Sequence, residues 1–543
     1  MSLRHARFHT PRLIRLSVLL LFGGMAGVFI GCEKDSPKDV PPPTNFPSST
    51  DSGVRTLPPP RFKKWDKPTV AVVLSGEQHG YIEPCGCSEL LSGGLSRRAD
   101  LVKQLQEQFK NVVGVDLGGT LERDRYQSQL KFNLTLNVLE DLGYQAIGMG
   151  PEELRLGVDT LIGQHQNRLT EQATQEPSFV CANATIYDTP DLSPRRNDII
   201  TVGDAKIGIT AVISESYRRK LSAADINDET RLKITPPADA LADVVPKFEE
   251  AGTDFNILLA QTPLKEAEAL AKQYPQFAVV LSAEGGDEPP SELHKVGDTL
   301  IVQIGRKGKY AGVLAYYADK AEEPFQFELI DLDKKRFENS PLVEKHLRVY
   351  QRDIESNLQQ VFASLPKSFH PSGQTFVGAE TCGKCHTKAF AKWSSTKHAH
   401  AYESIVKGRE GQFTEPIARN LDTECIGCHV TGWDPENDLP FDSGFLPEQL
   451  ATAKGEPQRY EHLKGQQCEN CHGPGSTHVE LEMAWKTDRT NTDESRLKAS
   501  RRQMTLTKKV AEDRLCIKCH DHENSPKFEF AKYWEEVKHP WRD

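Results

Sequence analysis

Four times in its last third, this chain sets two cysteines three residues apart and follows the second with histidine. The units are Cys382-Cys385-His386, Cys425-Cys428-His429, Cys468-Cys471-His472 and Cys516-Cys519-His520. Nothing else in the sequence constrains the fold as strongly. Two thiols at that spacing share one helical turn and can add across the two vinyl groups of one haem as thioethers. The next imidazole then points at the iron from the same side. Zinc ribbons also use paired CxxC units, but zinc does not ask for a His directly after each pair. With 17 His among 543 residues, four such placements by chance come to roughly one in a million. The eight cysteines are therefore read as attachments for four covalent haem c groups, and His386, His429, His472 and His520 as proximal iron ligands.

Eleven of the 17 histidines fall between His370 and His539. Beyond the proximal four, His370, His398, His400, His462, His478, His522 and His539 compete for at most four distal positions. Two neutral imidazoles on one iron give a low-spin centre that changes shape little on reduction, which suits electron transfer. The segment has few alternating or helical apolar runs, so the macrocycles themselves must supply much of its core.

Phe376-Val377-Gly378 leading into the first haem motif, then Trp393, Thr396, His398, Ala399 and Ala401, resemble the opening of tetrahaem cytochromes of the c-554 type. The stretch from Cys468 through Gly473-Pro474-Gly475 to His478 is similar too, as is the end, Tyr533-Trp534 to His539-Pro540. The resemblance implies distal roles for His398, His478 and His539, each serving a neighbouring haem. It leaves the fourth distal ligand open, with His462 and His522 as candidates and His400 behind them. Such proteins also include haems with no sixth protein ligand.

The opposite end reads as a targeting segment. Arg4, Arg7, Arg12 and Arg15 precede an apolar run over 16–30, short of the ~20 residues a spanning helix needs. Phe29-Ile30-Gly31-Cys32 resembles the lipobox of bacterial lipoproteins, which implies lipidation at Cys32. An uncleaved anchor helix is the alternative, and either reading exports the chain and tethers it to a membrane, on the periplasmic or cell-surface side. Residues 1–32 are the signal, and 33–67, rich in Pro and Ser, form an extended tether. A net charge of −10 argues against nucleic acid as a partner, and no basic stripe or aromatic-basic motif is read against that.

Residues 68–335 read as a layered α/β domain. Apolar runs at 70–74, 112–115 and 257–259 are buried strands, Leu95–Gln108 and 130–142 have helical spacing, and Gly143 is placed to close the second helix. A hairpin is expected over 200–212, around Gly203-Asp204. Several landmarks resemble the metallophosphoesterase domain of exported 5'-nucleotidases. They are Gly76-Glu77-Gln78-His79-Gly80, Gly93-Gly94-Leu95 with Arg97-Arg98, Val115-Asp116 to Gly119, Leu142-Gly143-Tyr144 to Gly150, and Gln303 to Tyr310. That family holds two metals on carboxylates and imidazoles. By the resemblance its first Asp is Glu77 here, the neighbouring His survives as His79, and the bridging Asp falls on Gly119. Its Asn-His pair falls on Pro151-Glu152, a later His on Gln261, and its last His pair on Glu284 and Gly286. Most metal ligands are thus expected to be lost.

Glu83-Pro84-Cys85-Gly86-Cys87 follows directly. The CxC pair resembles nucleotidase-like proteins whose second Cys can be selenocysteine, which implies thiol redox chemistry at Cys85 and Cys87. A disulfide within so small a ring is strained and exchangeable. A plain structural disulfide, or pairing of either with Cys181, is the alternative.

Residues 340–374 read as a linker helix and hinge, and 375–543 as the tetrahaem cytochrome domain, mostly α and rich in loops. Within it, 434–458 reads as a surface insertion and 488–509 as a basic loop and helix. The expected function is electron transfer with redox partner proteins. The alternatives are an oxidoreductase acting on a small nitrogen or sulfur compound at an open haem or at the CxC pair, a metal-dependent phosphohydrolase, and a non-catalytic binding module.

Overall fold

The computed structural model describes residues 58–84, 92–168, 177–221, 228, 230–290, 292–411 and 413–539. Cys32, Cys85 and Cys87 lie outside the described residues.

Two six-stranded sheets form the α/β part. The first contains β1 (Val70–Ser75), β2 (Val112–Asp116), β3 (Tyr144–Gly148) and β4 (Ser178–Val180), all parallel. Two later strands, β13 (Tyr310–Tyr316) and β14 (Phe325–Asp331), extend it antiparallel, giving the order β14-β13-β1-β2-β3-β4. The second runs β11-β12-β10-β9-β7-β6, from β6 (Asp198–Val202), β7 (Ala205–Ile213), β9 (Phe255–Gln261), β10 (Phe277–Ser282), β11 (His294–Val296) and β12 (Thr299–Gln303). A short ribbon of β5 (Ala184–Ile186) and β8 (Leu232–Ile234) lies outside both.

The central strands are apolar on both sides because both sides are covered. Along β1, Val70, Val72 and Leu74 enter the core between the sheets, while Ala71 and Val73 face the outer helices. β9 does the same, with Ile257 and Leu259 inward and Leu258 and Ala260 under the helices Pro237–Ala251 and Leu264–Gln273. The expected hairpin is present, with β6 and β7 joined through Gly203 at φ 62°. The second expected helix spans Tyr126–Asp141, and Gly143 follows it at φ 77° with its N–H on the Glu140 carbonyl at 2.9 Å.

The helix Pro341–Ser356, in the stretch expected to connect the two folded parts, is packed along its length. Val343, Leu347, Tyr350 and Ile354 join the core beneath the first sheet, beside Tyr126–Asp141. The remaining chain is a set of short helices around one modest apolar cluster that includes Tyr402, Ile426, Trp433 and Phe445. The helices Thr387–Ser394 and Phe530–Val537 carry Phe390, Trp393, Phe530 and Trp534 yet bury no residue against protein. Among the described residues no helix is long and apolar enough to cross a membrane.

Candidate haem centre

Each paired-thiol unit sits on a helical turn, as in Ala379–Gly383, Thr423–Ile426 and Cys468–His472. The turns are set by backbone capping. Asp422 accepts from the Glu424 N–H at 3.2 Å and so starts the turn that carries Cys425. Glu469, inside the third unit, accepts from Gly378 and Gly475 N–H at 2.8 Å each, and from Val377 N–H at 3.0 Å. One carboxylate thereby ties the approach to the first unit to the exit from the third.

The histidines pair across the segment. His386 faces His478 with ring centres 6.4 Å apart and planes 23° from parallel. His398 faces His520 at 6.0 Å, and His472 faces His539 at 5.8 Å. That spacing is the room one iron needs, since metal–imidazole bonds of about 2.0–2.1 Å on each side put ring centres about 6 Å apart. The three partners are the residues expected in distal roles, each brought to a unit remote in sequence.

Four of the imidazoles have their second nitrogen engaged. His429 Nδ1–H donates to the Ala401 carbonyl at 2.7 Å, and His472 Nδ1–H to the Met504 carbonyl at 2.7 Å. A carbonyl only accepts, so Nε2 keeps its lone pair for a metal. His520 Nδ1 meets Ser525 Oγ at 2.8 Å, and His478 Nδ1 meets Ser500 Oγ at 3.5 Å. Burial pushes His398, His429, His472 and His478 below the usual imidazole range. Burial, then the facing His398, pushes His520 down to about 4. The rings are therefore neutral at pH 7, as iron ligation requires. Ser500, Ser525 and the Met504 carbonyl carry no signature in the sequence; only the fold brings them to the imidazoles.

His370 Nδ1 instead meets Ser372 Oγ at 2.8 Å beside Phe376 and Phe441, and His400 pairs with Glu403 at 3.0 Å. Among the described residues no imidazole faces His429, His462 or His522 as the other three pairs face each other.

Sulfurs from different units adjoin, standing for the thioether sulfurs of the loaded protein. The Cys468 thiol, followed by burial, pushes Cys382 upward, and Cys519 does the same to Cys428. Cys516 adds to burial in raising Cys471. The units thus run first, third, fourth, second. A cavity of about 1,920 Å³ lined by Cys425, Cys428, His429, Cys516, Cys519 and His520 opens beside them. It exceeds the ~300–1,000 Å³ of a single small-ligand pocket. Donor set, ring spacing and space all fit haem.

The second unit is built onto the α/β part. Gln127 Nε2 donates to Asp422 Oδ1 at 2.8 Å, Thr423 Oγ1 donates to Gln127 Oε1 at 2.7 Å, and Lys131 Nζ donates to Glu424 and to the Gly80 carbonyl. Burial works against the Lys131 ammonium, but Glu424 and Asp422 outweigh it and hold its pKa above the usual range. Arg419 donates to Glu83 Oε1 at 2.5 and 3.1 Å, and Arg409 to the Pro84 carbonyl at 2.8 Å. The stretch expected as a surface insertion is part of this seam. Arg123 reaches Asp438, Arg125 donates to the Asn437 carbonyl at 2.9 Å, and Phe445 and Leu446 are buried. Its polar composition hid this because the contacts are ionic and backbone-mediated.

At the loop edge of the sheets, Glu77 and His79 take φ of 50° and 46°, and His79 Nε2 lies 3.2 Å from Glu77 Oε2. A Cβ on Gly119 would meet Glu77 Oε1 at 2.5 Å, so this Glu fills the room a larger residue there would need. Glu153 accepts from the N–H groups of Gly119, Thr120 and Gly150 at 2.7–3.2 Å. Gln261 Nε2 donates to the Leu117 carbonyl at 2.9 Å. Burial, then the Glu284 carboxylate, raises the Tyr217 phenol. Among the described residues no three His, Cys, Asp or Glu are grouped to hold a metal ion.

Fold and site define a class, a layered α/β domain of metallophosphoesterase type carrying a c-type cytochrome module. Residues 381–473 match the family described as "Cytochrome c554 and c-prime". The chain is 28% identical to cytochrome c-554 of Nitrosomonas europaea over 106 residues, 18% of this chain and 39% of that one. It is 23% identical to the snake venom 5'-nucleotidase of Naja atra over 240 residues, 42% of each chain. It therefore spans less than half the length of these curated relatives. A 5'-nucleotidase precursor of Thermus thermophilus aligns with a TM-score of 0.46 at 17% identity, over 66% of this chain and 73% of that one. The chain joins a cytochrome c554-type module, with the covalent haem c that implies, to a 5'-nucleotidase-like domain.

Proposed function

We propose that the protein is an exported, lipid-anchored electron carrier with four haem c groups, exchanging electrons with redox partner proteins outside the cytoplasm. Haem c, when bound, supplies one-electron exchange at its iron. The observation that carries the reading is the set of three facing imidazole pairs, at 5.8–6.4 Å, built from His386, His472 and His520 with His478, His539 and His398. Nδ1 hydrogen bonds orient His472, His478 and His520, and burial keeps these three and His398 neutral. Cys32 is the proposed lipid attachment, and the lipobox-like segment supports export.

The α/β domain is proposed to have given up phosphate-ester hydrolysis. By the resemblance Gly119 stands where the family's bridging carboxylate would be, and Gln261, which takes the place of a later His, is committed to the Leu117 carbonyl. Cys85 and Cys87 are the proposed thiol redox pair, for which the flanking Glu83 and Pro84 give support. Both are held by Arg419 and Arg409 on the lining of the cavity beside His429.

A second reading rests on His429. With no imidazole opposite it among the described residues, this iron position would stay open to a small nitrogen or sulfur compound. One preparation tests both readings. The exported protein should carry four irons per chain with low-spin signals from at least three. A colourless product from a host that matures c-type cytochromes would remove the carrier reading. Nitric oxide binding to one high-spin iron would favour the oxidoreductase.

A further inference from the structure

Between residues 486 and 518 the chain holds ten Lys and Arg against five Asp and Glu, inside a protein whose net charge is −10. The core of this stretch is a hairpin of two packed helices, Ser476–Thr487 and Glu494–Gln503. Its second helix is started by Asp493, whose carboxylate accepts from Ser495 and Arg496 N–H at 2.9 and 3.1 Å. The inner side of that helix is Leu497 and Ser500, both buried. Its outer side is Arg496, Lys498, Arg501 and Arg502, all exposed. Arg489 and Arg501 lie over the Trp485 ring at 4.5 and 5.4 Å, which fixes their positions. Arg501 and Lys498 are neutralised by Glu482 and Glu494. Among the described residues, no carboxylate lies within ion-pair distance of Arg496 or Arg502.

The inner side of the hairpin holds the iron-facing imidazoles. Ser500 Oγ lies 3.5 Å from His478 Nδ1, and Met504, next after the helix, takes the His472 Nδ1–H at 2.7 Å. The basic surface is therefore one helix thickness, about 10 Å, from the imidazoles of the first and third units. Met483, on the first helix of the hairpin, and Val510, shortly after the second, are exposed, 53% and 42%. Single exposed apolar side chains in a segment rich in cations suit a short-lived encounter with a protein rather than a deep hydrophobic anchor.

We propose that this hairpin is the docking surface for an acidic redox protein. The inference rests on the electron-carrier reading and names the partner class for it. The partner's carboxylates would be steered by Arg496 and Arg502, the two without a close ion pair among the described residues, and docking would bring its redox centre against the helix that positions His472 and His478. Such steering falls off within a Debye length, about 8 Å at physiological salt.

The test uses the holoprotein, the charge-reversed R496E/R502E variant and the charge-keeping R496K/R502K variant, each with its haem spectrum and thermal midpoint recorded. Binding of poly-L-glutamate is measured by calorimetry at low and physiological salt, and oxidation and reduction rates are followed with an anionic iron–EDTA couple and with cationic hexaammineruthenium. The expected result is poly-glutamate binding that salt weakens and R496E/R502E abolishes. The rate with iron–EDTA should fall roughly tenfold in that variant alone, with no fall for hexaammineruthenium. Equal poly-glutamate affinity and equal rates across the three proteins would overturn the proposal. So would sedimentation with phosphatidylglycerol vesicles that requires these arginines while both rates stay unchanged, which would assign the patch to a membrane surface. Absent haem absorbance would overturn the carrier reading instead, and poly-glutamate binding would still report on the patch.

Discussion

Cys181 is fully buried at the end of β4, and burial pushes its thiol up to about 12. Such a thiol is almost entirely protonated at pH 8 and closed to reagents. A haloacetamide should leave Cys181 unlabelled in the native protein and modify it once denaturant is added, read by mass spectrometry of the peptide. Labelling in the native state would return it to the pool of thiols able to pair with Cys85 or Cys87. A second single-residue effect belongs to Glu344. Arg348 holds its carboxyl below the usual range, burial opposes this, and the Thr414 N–H adds to it. A depressed carboxyl stabilises the fold above its unfolded value, about 4.3, and the gain is lost as pH falls through the native value. The urea midpoint of Glu344→Gln should therefore lie below that of wild type near neutrality, and the gap should close as pH falls below about 4. At this scale the sequence spoke clearly where covalent chemistry dictates spacing, as in the four CxxCH units. It was silent on Ser500, Ser525 and the Met504 carbonyl, because a hydrogen bond to an imidazole asks only for an oxygen in the right place.

Among elements, the helix Tyr126–Asp141 has the widest consequences. One side packs under the first sheet through Phe132, Leu136 and Leu139, and its Gln127 and Lys131 hold Asp422, Thr423 and Glu424 at the start of the second haem unit. Lys131→Met keeps the stem but leaves Glu424 without its cation. Because that carboxylate is 45% exposed, the cost should be about 2 kcal/mol, below the range for fully buried pairs. The check is denaturation of the holoprotein followed by haem absorbance, and a change below about 0.5 kcal/mol would mean the seam does not depend on this contact. Periodicity revealed the apolar face of this helix and its closing glycine. It could not reveal the polar side, since Gln and Lys on a helix normally face water and their partners lie about 290 residues further on. The same limit hid the role of 434–438, whose acidic and amide groups read as solvent-facing until Arg123 and Arg125 are seen opposite them.

At the scale of the molecule, the α/β unit acts as a frame for the paired-thiol segment, which in the proposed reading is a chain of haem irons fixed to it. The frame was legible because parallel strands buried on both faces write long apolar runs, and the order of units was not, because sulfur neighbours such as Cys382 and Cys468 are brought together by tertiary folding across about 85 residues of chain. The arrangement predicts an asymmetry among the irons. Three positions have an imidazole on each side, and the position at His429 has one among the described residues. His478→Ala should therefore convert one further iron from low to high spin in the electron paramagnetic resonance spectrum, with the thioether attachments at Cys382 and Cys385 intact by mass. The change should appear at the His386 position, because His478 faces that ring at 6.4 Å and hydrogen-bonds Ser500 only weakly at 3.5 Å. His462→Ala and His522→Ala should leave the spin balance unchanged. If instead either of these raises the high-spin count, that residue is the missing ligand at His429, and the iron there is a carrier like the others rather than a place for substrate.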